Sequence, residues 1–508
     1  MIDECTLVEF DKNPPDTTSA VDDPTQPTSA WTFDDIVCAL RFISVPTNTP
    51  IAGFSIDSRT ITPGQVFIAL SGARVDGHDF VAQACERGAQ LAIVERAKAF
   101  PELSSYSHIK VDSTHAALMD LAQYARARTA ATIVGVSGSV GKTTVREWIA
   151  ALLAHAGDTV STRCNHNGKI GLPLSITQLA ADTRFGVFEI GIDEPDSMQV
   201  LAALCNPHIA VMTPITCAHI ENFKSLDSLA HEKAMLFSGL CSGGVVVVDQ
   251  ETYKLFPVIK HVAEEFGAID VVTVGNNNAS VQIASAVVDG NQTHVVLRVC
   301  GVTFEYTIRA VGEHFVQDSA IALASAMCAA YDGTLQHIVG EHAQVITDVF
   351  LPVMSSLAPL PGRGQVRTLM LDGARQVQLV DDAYNANLAS MLAGMRAFAS
   401  MQAPRKIAVV GDMLALGKTT RDAHAQLFDA LSESDFDKVY ALGEFVQEPF
   451  EAMPKGKRGA LASSLNELER LLLRDLRDGD AVWVKASHAI GLHELFARLS
   501  VQDRDVAA

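Results

Sequence analysis

The run Gly135-Val136-Ser137-Gly138-Ser139-Val140-Gly141-Lys142-Thr143-Thr144 restricts the possible folds of this chain more than any other stretch. An apolar, strand-like segment, Thr132-Ile133-Val134, leads into it, and a helical pattern from Thr144 to Leu153 leads out. Strand, glycine turn and helix in that order belong to a parallel sheet covered by helices. The same turn makes a cradle for a nucleotide's phosphates. Glycines let backbone N–H groups approach the phosphate oxygens, and the helix N-terminus adds positive potential. Lys142 can reach the β- and γ-phosphates, and Thr143 can offer its hydroxyl to Mg²⁺. The glycine spacing is irregular: the usual pattern has a glycine where Val136 stands, whereas the glycines here fall at 135, 138 and 141. An ordinary glycine-rich turn is the alternative reading.

The rest of the chain has room for several such layers. At 508 residues it exceeds one ordinary core, so two to four domains are expected. Residues 11–30, rich in Pro, Asp and Thr, read as a disordered leader, taken as 1–30. A first domain, 31–130, carries short strands such as Val66–Leu70 and Ala92–Val94 with helices near Phe80–Arg87 and Ala116–Arg126. A second, 131–357, alternates strand and helix, with strands at Ile133–Val136, Gly186–Ile190, Ile209–Thr213 and Val245–Val248. A β-rich insertion is expected at about Val271–Arg309. A third α/β unit, 358–508, opens near Pro361-Gly362-Arg363-Gly364, with strands at Val377–Val380, Lys406–Val410, Lys438–Ala441 and Ala481–Val484. Its helix Leu465–Leu476 places Leu468, Leu471 and Leu472 at helical spacing, facing a core.

Composition narrows the function. The net charge of −20 opposes nucleic-acid or anionic-membrane binding, because phosphate backbones would be repelled. Nine scattered cysteines without a CxxC pair oppose both a disulfide scaffold and a structural zinc site. The acidic N-terminus lacks the apolar run of a signal peptide, and no stretch reaches the roughly 18 apolar residues of a membrane helix. A cytoplasmic protein is expected, without membrane insertion.

Further candidate groups stand near predicted strand ends, where ligands sit in open α/β sheets. Glu189 ends one strand; a carboxylate there suits Mg²⁺, or is a salt-bridged or solvated terminus. His219 follows another strand and reads as a ligand or a hydrogen-bonded structural residue. Lys233, in a helical pattern, reads by itself as a surface lysine. Arg363 sits in its Pro-Gly-Arg-Gly turn either as a clamp on a transferring phosphoryl group or as part of a plain interdomain turn. Asp381 and Asp382, followed by Asn385 and Asn387, make either a polar site or a solvated loop.

In order and spacing these residues resemble the Mur ligase family, ATP-dependent enzymes that add amino acids to the peptidoglycan precursor. The resemblance runs from about Phe54 to Leu499. It is carried by Ser55-Ile56-Asp57-Ser58-Arg59-Thr60, Asp76-Gly77-His78-Asp79-Phe80, Ser137–Thr144, Asn165-His166-Asn167, Glu189-Ile190-Gly191, Ala218-His219-Ile220-Glu221, Asp382–Asn387, Gly411-Asp412-Met413 and Lys485-Ala486-Ser487. The Tyr-Asn-Ala-Asn and Gly-Asp-Met stretches resemble the MurF-type branch. The resemblance implies an α/β chain of three domains, with a central P-loop mononucleotide-binding parallel sheet and a Rossmann-like C-terminal domain. It also implies ATP and Mg²⁺ as co-substrate and metal. The substrates it implies are UDP-N-acetylmuramoyl-tripeptide and D-alanyl-D-alanine, joined through an acyl phosphate by a monomer.

By the same resemblance Gly138, Ser139, Val140, Gly141, Lys142, Thr143 and Thr144, with Asp382, would hold ATP. Thr143, Glu189 and His219 would hold magnesium. Lys142, His219, Lys233 (carbamylated in relatives) and Arg363 would serve the chemistry, and Ser58, Arg59, Asn165 and Asn167 the UDP-sugar substrate. Four positions depart from the family pattern: Asp318 stands where relatives have an asparagine that helps hold adenine, Leu388 where they have proline, Ala415 where they have glutamate, and Ala486 where they have glycine. Another amino-acid ligase of the folylpolyglutamate type, or a nucleotide-binding homologue without catalysis, are the competing readings.

Overall fold

The structure is a computed structural model that describes residues 31–42, 48–72, 75–98, 106–163, 165–192, 194–216, 222–268, 270–331, 333–372 and 375–501. The expected leader and His219 lie outside the described residues. A short antiparallel ribbon, Trp31–Thr32 (β1) with Pro50–Ile51 (β2), precedes three sheets. The first is four-stranded and parallel, with Phe54–Ser55 (β3), Val66–Ile68 (β4), Leu91–Glu95 (β5) and His108–Val111 (β6) in sequence order.

The central sheet has nine strands: Thr132–Ser137 (β7), Thr159–Ser161 (β8), Phe185–Glu189 (β9), Ile209–Met212 (β10), Val245–Asp249 (β11), Asp270–Gly275 (β12), Val281–Asp289 (β13), Gln292–Val299 (β14) and Val302–Ile308 (β15). Their spatial order is β15-β14-β13-β12-β11-β10-β7-β9-β8. The strands β7, β9, β10 and β11 are apolar on both faces, as a sheet covered by helices requires. The stretch read from sequence as an inserted β unit is no insertion. β12 pairs in parallel with β11, β13 continues in parallel, and only β14 and β15 turn antiparallel, so one sheet is lengthened at its edge. The alternation of the last strands, half exposed, concealed that continuity with the buried strands.

The third sheet has Gln365–Leu371 (β16), Arg375–Asp381 (β17), Arg405–Gly411 (β18), Lys438–Leu442 (β19), Arg458–Ala462 (β20) and Asp480–Lys485 (β21), ordered β16-β17-β21-β18-β19-β20. β16 is antiparallel to β17 and the other pairs are parallel. The helix Leu465–Asp475 buries Leu468 and Leu472, with Leu471 only partly covered.

In both large sheets the strand order reverses beside a central strand. That reversal opens a crevice at the carboxyl ends of the strands. β7 delivers the glycine turn to one crevice. β17, β18 and β21 deliver Asp382, Asp412 and Lys485 to the other.

Candidate active site

The glycine turn is built around two backbone conformations that side chains disfavour. Gly138 has φ +143° and Gly141 has φ +81°. Gly141 is the residue before the helix Lys142–Leu153, which starts two residues earlier than its apolar pattern, and no side chain caps it. The loop is pinned from behind, where Ser139 N–H donates to Pro214 O at 2.9 Å and Thr213 Oγ1 donates to Val140 O at 2.6 Å. Lys142 Nζ donates to Gly138 O at 2.9 Å and Ser139 O at 3.1 Å, so its cation lies over the loop. Val140 is part-exposed in the loop, and Thr144 is buried beneath it.

Adjacent register brings the neighbouring strand's acid to the loop: Val136 pairs with Glu189. Glu189 is 2% exposed, so it is not a solvated strand terminus. Its Oε2 accepts from Thr143 Oγ1 at 2.7 Å and its Oε1 from Asn167 Nδ2 at 2.8 Å. The buried Arg146 stands 3.9 Å from Oε2. Arg146 escaped the sequence reading, although its place one helical turn beyond Lys142, amid apolar residues, is a readable signal. Asn165 is exposed, and its carbonyl accepts from Asn167 N–H at 2.8 Å.

Lys233 is not the surface lysine its helical pattern suggests. It is 2% exposed, on the helix Leu226–Ala234. Its neighbour Glu232 accepts from Ser197 N–H and Met198 N–H, both at 2.9 Å, which anchors that helix to the start of the preceding helix, Met198–Cys205.

The third unit adds its own charges. Gly362 (φ +75°) and Gly364 (φ +91°) flank Arg363, whose guanidinium lies 4.2 Å from the Tyr384 ring centroid. Lys485 Nζ binds Asp382 Oδ1 at 3.0 Å and donates to Asn385 O at 3.1 Å. Burial raises the Asp382 carboxyl above its ordinary range, while Lys485 and Arg363 pull it back. A cavity of about 290 Å³ lies where this unit meets the central one, lined by Arg309, His314, Phe315, Asp382, Phe398 and Trp483 among others. Burial, with the nearby charges of Lys485 and Arg396, lowers His314 to about 4, so its imidazole is neutral at pH 7.

The Gly-Asp-Met and Lys-Ala-Ser stretches are knitted together. Asp412 accepts from the N–H groups of Glu444, Phe445 and Val446 at 2.7, 3.0 and 3.0 Å. Ser487 N–H donates to Asp412 O at 3.0 Å, and Leu414 N–H donates to Ser487 Oγ at 2.9 Å. Leu388 is the first residue of the helix Leu388–Ala399, capped by Asn387. That position needs no N–H partner, so proline and leucine both serve there. In the first unit Ser58 Oγ donates to Gln83 Oε1 at 2.6 Å, and Arg59, largely exposed, pairs with Asp57 at 2.7 Å.

This arrangement has close parallels. Three family models match in turn: Mur ligase family, catalytic domain, over residues 50–126; Mur ligase middle domain over 136–326; and Mur ligase, glutamate ligase domain, over 363–488. The UDP-N-acetylmuramoyl-tripeptide--D-alanyl-D-alanine ligase of Treponema pallidum is 31% identical over 479 residues, covering 91% of this chain and 97% of the relative. The chain belongs to the Mur ligase family. The same-named Escherichia coli ligase is 28% identical, covering 87% of this chain and 92% of its own. Among solved Mur ligases, MurF from Acinetobacter baumannii superposes with a TM-score of 0.78 at 23% identity, over 93% of this chain and 99% of that one. MurF from Thermotoga maritima, solved in complex with ADP, gives 0.71 at 23% identity, over 89% and 98%. These two establish a shared Mur ligase fold. Among the described residues no helix is long and apolar enough to cross a membrane.

Proposed function

We propose that this Mur ligase joins D-alanyl-D-alanine to UDP-N-acetylmuramoyl-tripeptide at the expense of ATP, in the cytoplasm. The observation that carries the reading is the juxtaposition of the glycine loop, Lys142, Thr143 and Glu189, in a chain that matches ligases of that name along nearly their whole length.

The terminal carboxylate of the tripeptide attacks the γ-phosphorus, ADP departs, and an acyl phosphate forms. The free amine of D-alanyl-D-alanine then attacks the acyl carbon. Phosphate leaves, the amine's surplus proton passes to solvent, and an amide remains. This chain supplies no nucleophile to that scheme, so its residues act by position and charge. Gly138 to Thr144 cradle the phosphates, Lys142 turns from its loop carbonyls onto the β- and γ-oxygens, and Arg363 offsets charge on the transferring group.

Hydroxyl and carboxylate oxygens are hard donors. The Thr143–Glu189 pair therefore fits Mg²⁺, which takes few protein ligands beside water and phosphate oxygens. When bound there, Mg²⁺ would neutralise charge on the β- and γ-phosphates. His219 is assigned to a second Mg²⁺ by the family resemblance. The cavity beside His314, Phe315 and Asp382 is assigned to the remainder of the nucleotide. Lys233, buried on its helix, is assigned as a carbamate because it matches the lysine that is carbamylated in relatives. Ser58, Arg59, Asn165 and Asn167 are assigned to the UDP-sugar substrate.

The test is phosphate release with ATP, Mg²⁺, UDP-N-acetylmuramoyl-tripeptide and D-alanyl-D-alanine, with mass spectrometry of the product. Release that requires both peptide substrates, with product mass equal to their sum less water, is expected. No release with all present refutes the proposal.

A further inference from the structure

The helix Glu313–Ala330 passes behind the glycine loop, and its Asp318 is 5% exposed. A methyl group on Gly141 would fall 2.5 Å from Asp318 Oδ1 and 3.2 Å from Oδ2, so the carboxyl fills the space that the missing side chain leaves. The ionisable groups that face it are few. Arg363 reaches toward it from the Pro-Gly-Arg-Gly turn, and Asp249 stands at the end of β11. Arg363 is shared with Asp382 and stacked on Tyr384. Asp249 is itself buried and accepts from Thr252 N–H at 2.7 Å and Gln317 Nε2 at 3.0 Å. Lys142, on the loop helix, is turned onto Gly138 O and Ser139 O. An ionised Asp318 would thus be a buried anion against a loop whose occupant is a polyphosphate.

We infer that Asp318 works as a neutral carboxylic acid, shaped like an asparagine side chain, that supports the Gly141 turn and makes nucleotide affinity fall as it loses its proton. Burial pushes this carboxyl well above the ordinary range; Arg363 opposes that and Asp249 adds to it. Bound phosphates act in the same sense as Asp249, so nucleotide binding and proton retention favour each other. Asp318 is in this account a positioning residue, acting on the nucleotide through the loop. The inference rests on the phosphate-loop reading above.

The test is the dissociation constant of Mg·ADP followed from about pH 5.5 upward to the alkaline limit of the folded protein, above the range in which ordinary carboxylates titrate, measured by calorimetry for the wild type and Asp318→Asn. The asparagine keeps the shape and a donor and cannot ionise. The wild-type constant is expected to rise by roughly tenfold or more across the range, one unit of proton affinity being tenfold, while that of Asp318→Asn stays level. Wild-type titrations near the midpoint are expected to take up a proton, read as a buffer-dependent enthalpy that the variant lacks. A level wild-type curve overturns the inference without any variant, and parallel curves for the two proteins overturn it as well. Failure to bind Mg·ADP at every pH overturns the phosphate-loop reading together with this one.

Discussion

Replacing Gly138 with alanine isolates the part played by the backbone of the loop. The residue has φ +143°, a region that costs a side-chain-bearing residue about 1–3 kcal/mol. The added methyl would overlap Thr213 Oγ1 and come within 2.8 Å of Thr213 O. Relief requires Thr213 to give up its bonds to Val140 O (2.6 Å) and Ser137 O (3.2 Å), each worth roughly 1 kcal/mol. The sum is about 3–5 kcal/mol, or at least about 100-fold in affinity. It should appear in binding rather than in folding, because the loop can swing out while β7 and its helix stay packed. The cost returns only when a nucleotide demands the original turn. Calorimetric binding of Mg·ADP, run beside a thermal melt, should show the weakened affinity with little change in Tm. Adding Thr213→Ala removes the hydroxyl overlap but not the carbonyl contact, so it should recover only part of the loss. Wild-type affinity in Gly138→Ala would refute the reasoning.

Three other outcomes follow from the same contacts. Asp412→Ala strands three backbone N–H groups and should destabilise the C-terminal unit by roughly 3 kcal/mol or more; an unchanged urea midpoint contradicts this. Arg363→Lys keeps the charge but loses the flat contact with Tyr384, and should lower kcat by roughly 10-fold or more with a smaller change in the KM for ATP; equal kcat values contradict it. For Asp318 the folded carboxyl lies above its unfolded value, so its contribution is intact below about pH 4 and lost as pH rises toward the folded midpoint. Asp318→Asn should therefore melt at about the wild-type temperature in acid and above it at neutral and alkaline pH; a Tm difference that does not grow with pH speaks against a buried, raised carboxyl.

The central strands were readable because burial on both faces leaves unbroken apolar runs such as Val245–Val248. β16 was not, because Gln365–Leu371 is an antiparallel edge strand with an exposed face and polar residues that imitate a loop. The loop, Glu189 and Asp382 were legible from their places at strand ends. The roles of Arg146, Asp249 and Asp318 depend on which helix passes behind which turn, and residues far apart in sequence meet there only through tertiary packing. Lys233 misled for a related reason. A charged residue in a short amphipathic helix looks solvent-facing until a second layer covers it. Asp412 was noticed as part of a motif, but its work of gathering the Glu444–Val446 amides is a long-range contact that no local pattern encodes.

Gly362 and Gly364 hold Arg363 in a left-handed turn that is tied to the C-terminal unit, where Gly364 N–H donates to Asp381 O and Tyr384 N–H donates to Gly362 O. The turn that joins the central and C-terminal units is therefore the same one that carries the cation proposed for the transferring phosphoryl group. Any turn of the C-terminal unit away from the loop would draw Arg363 off Asp318 and off a bound nucleotide together, and a turn inward would deliver it. Built this way, the molecule is geared against idling. On the proposed mechanism, ATP held on the glycine loop without the third unit in place would lack the charge that makes its γ-phosphate transferable.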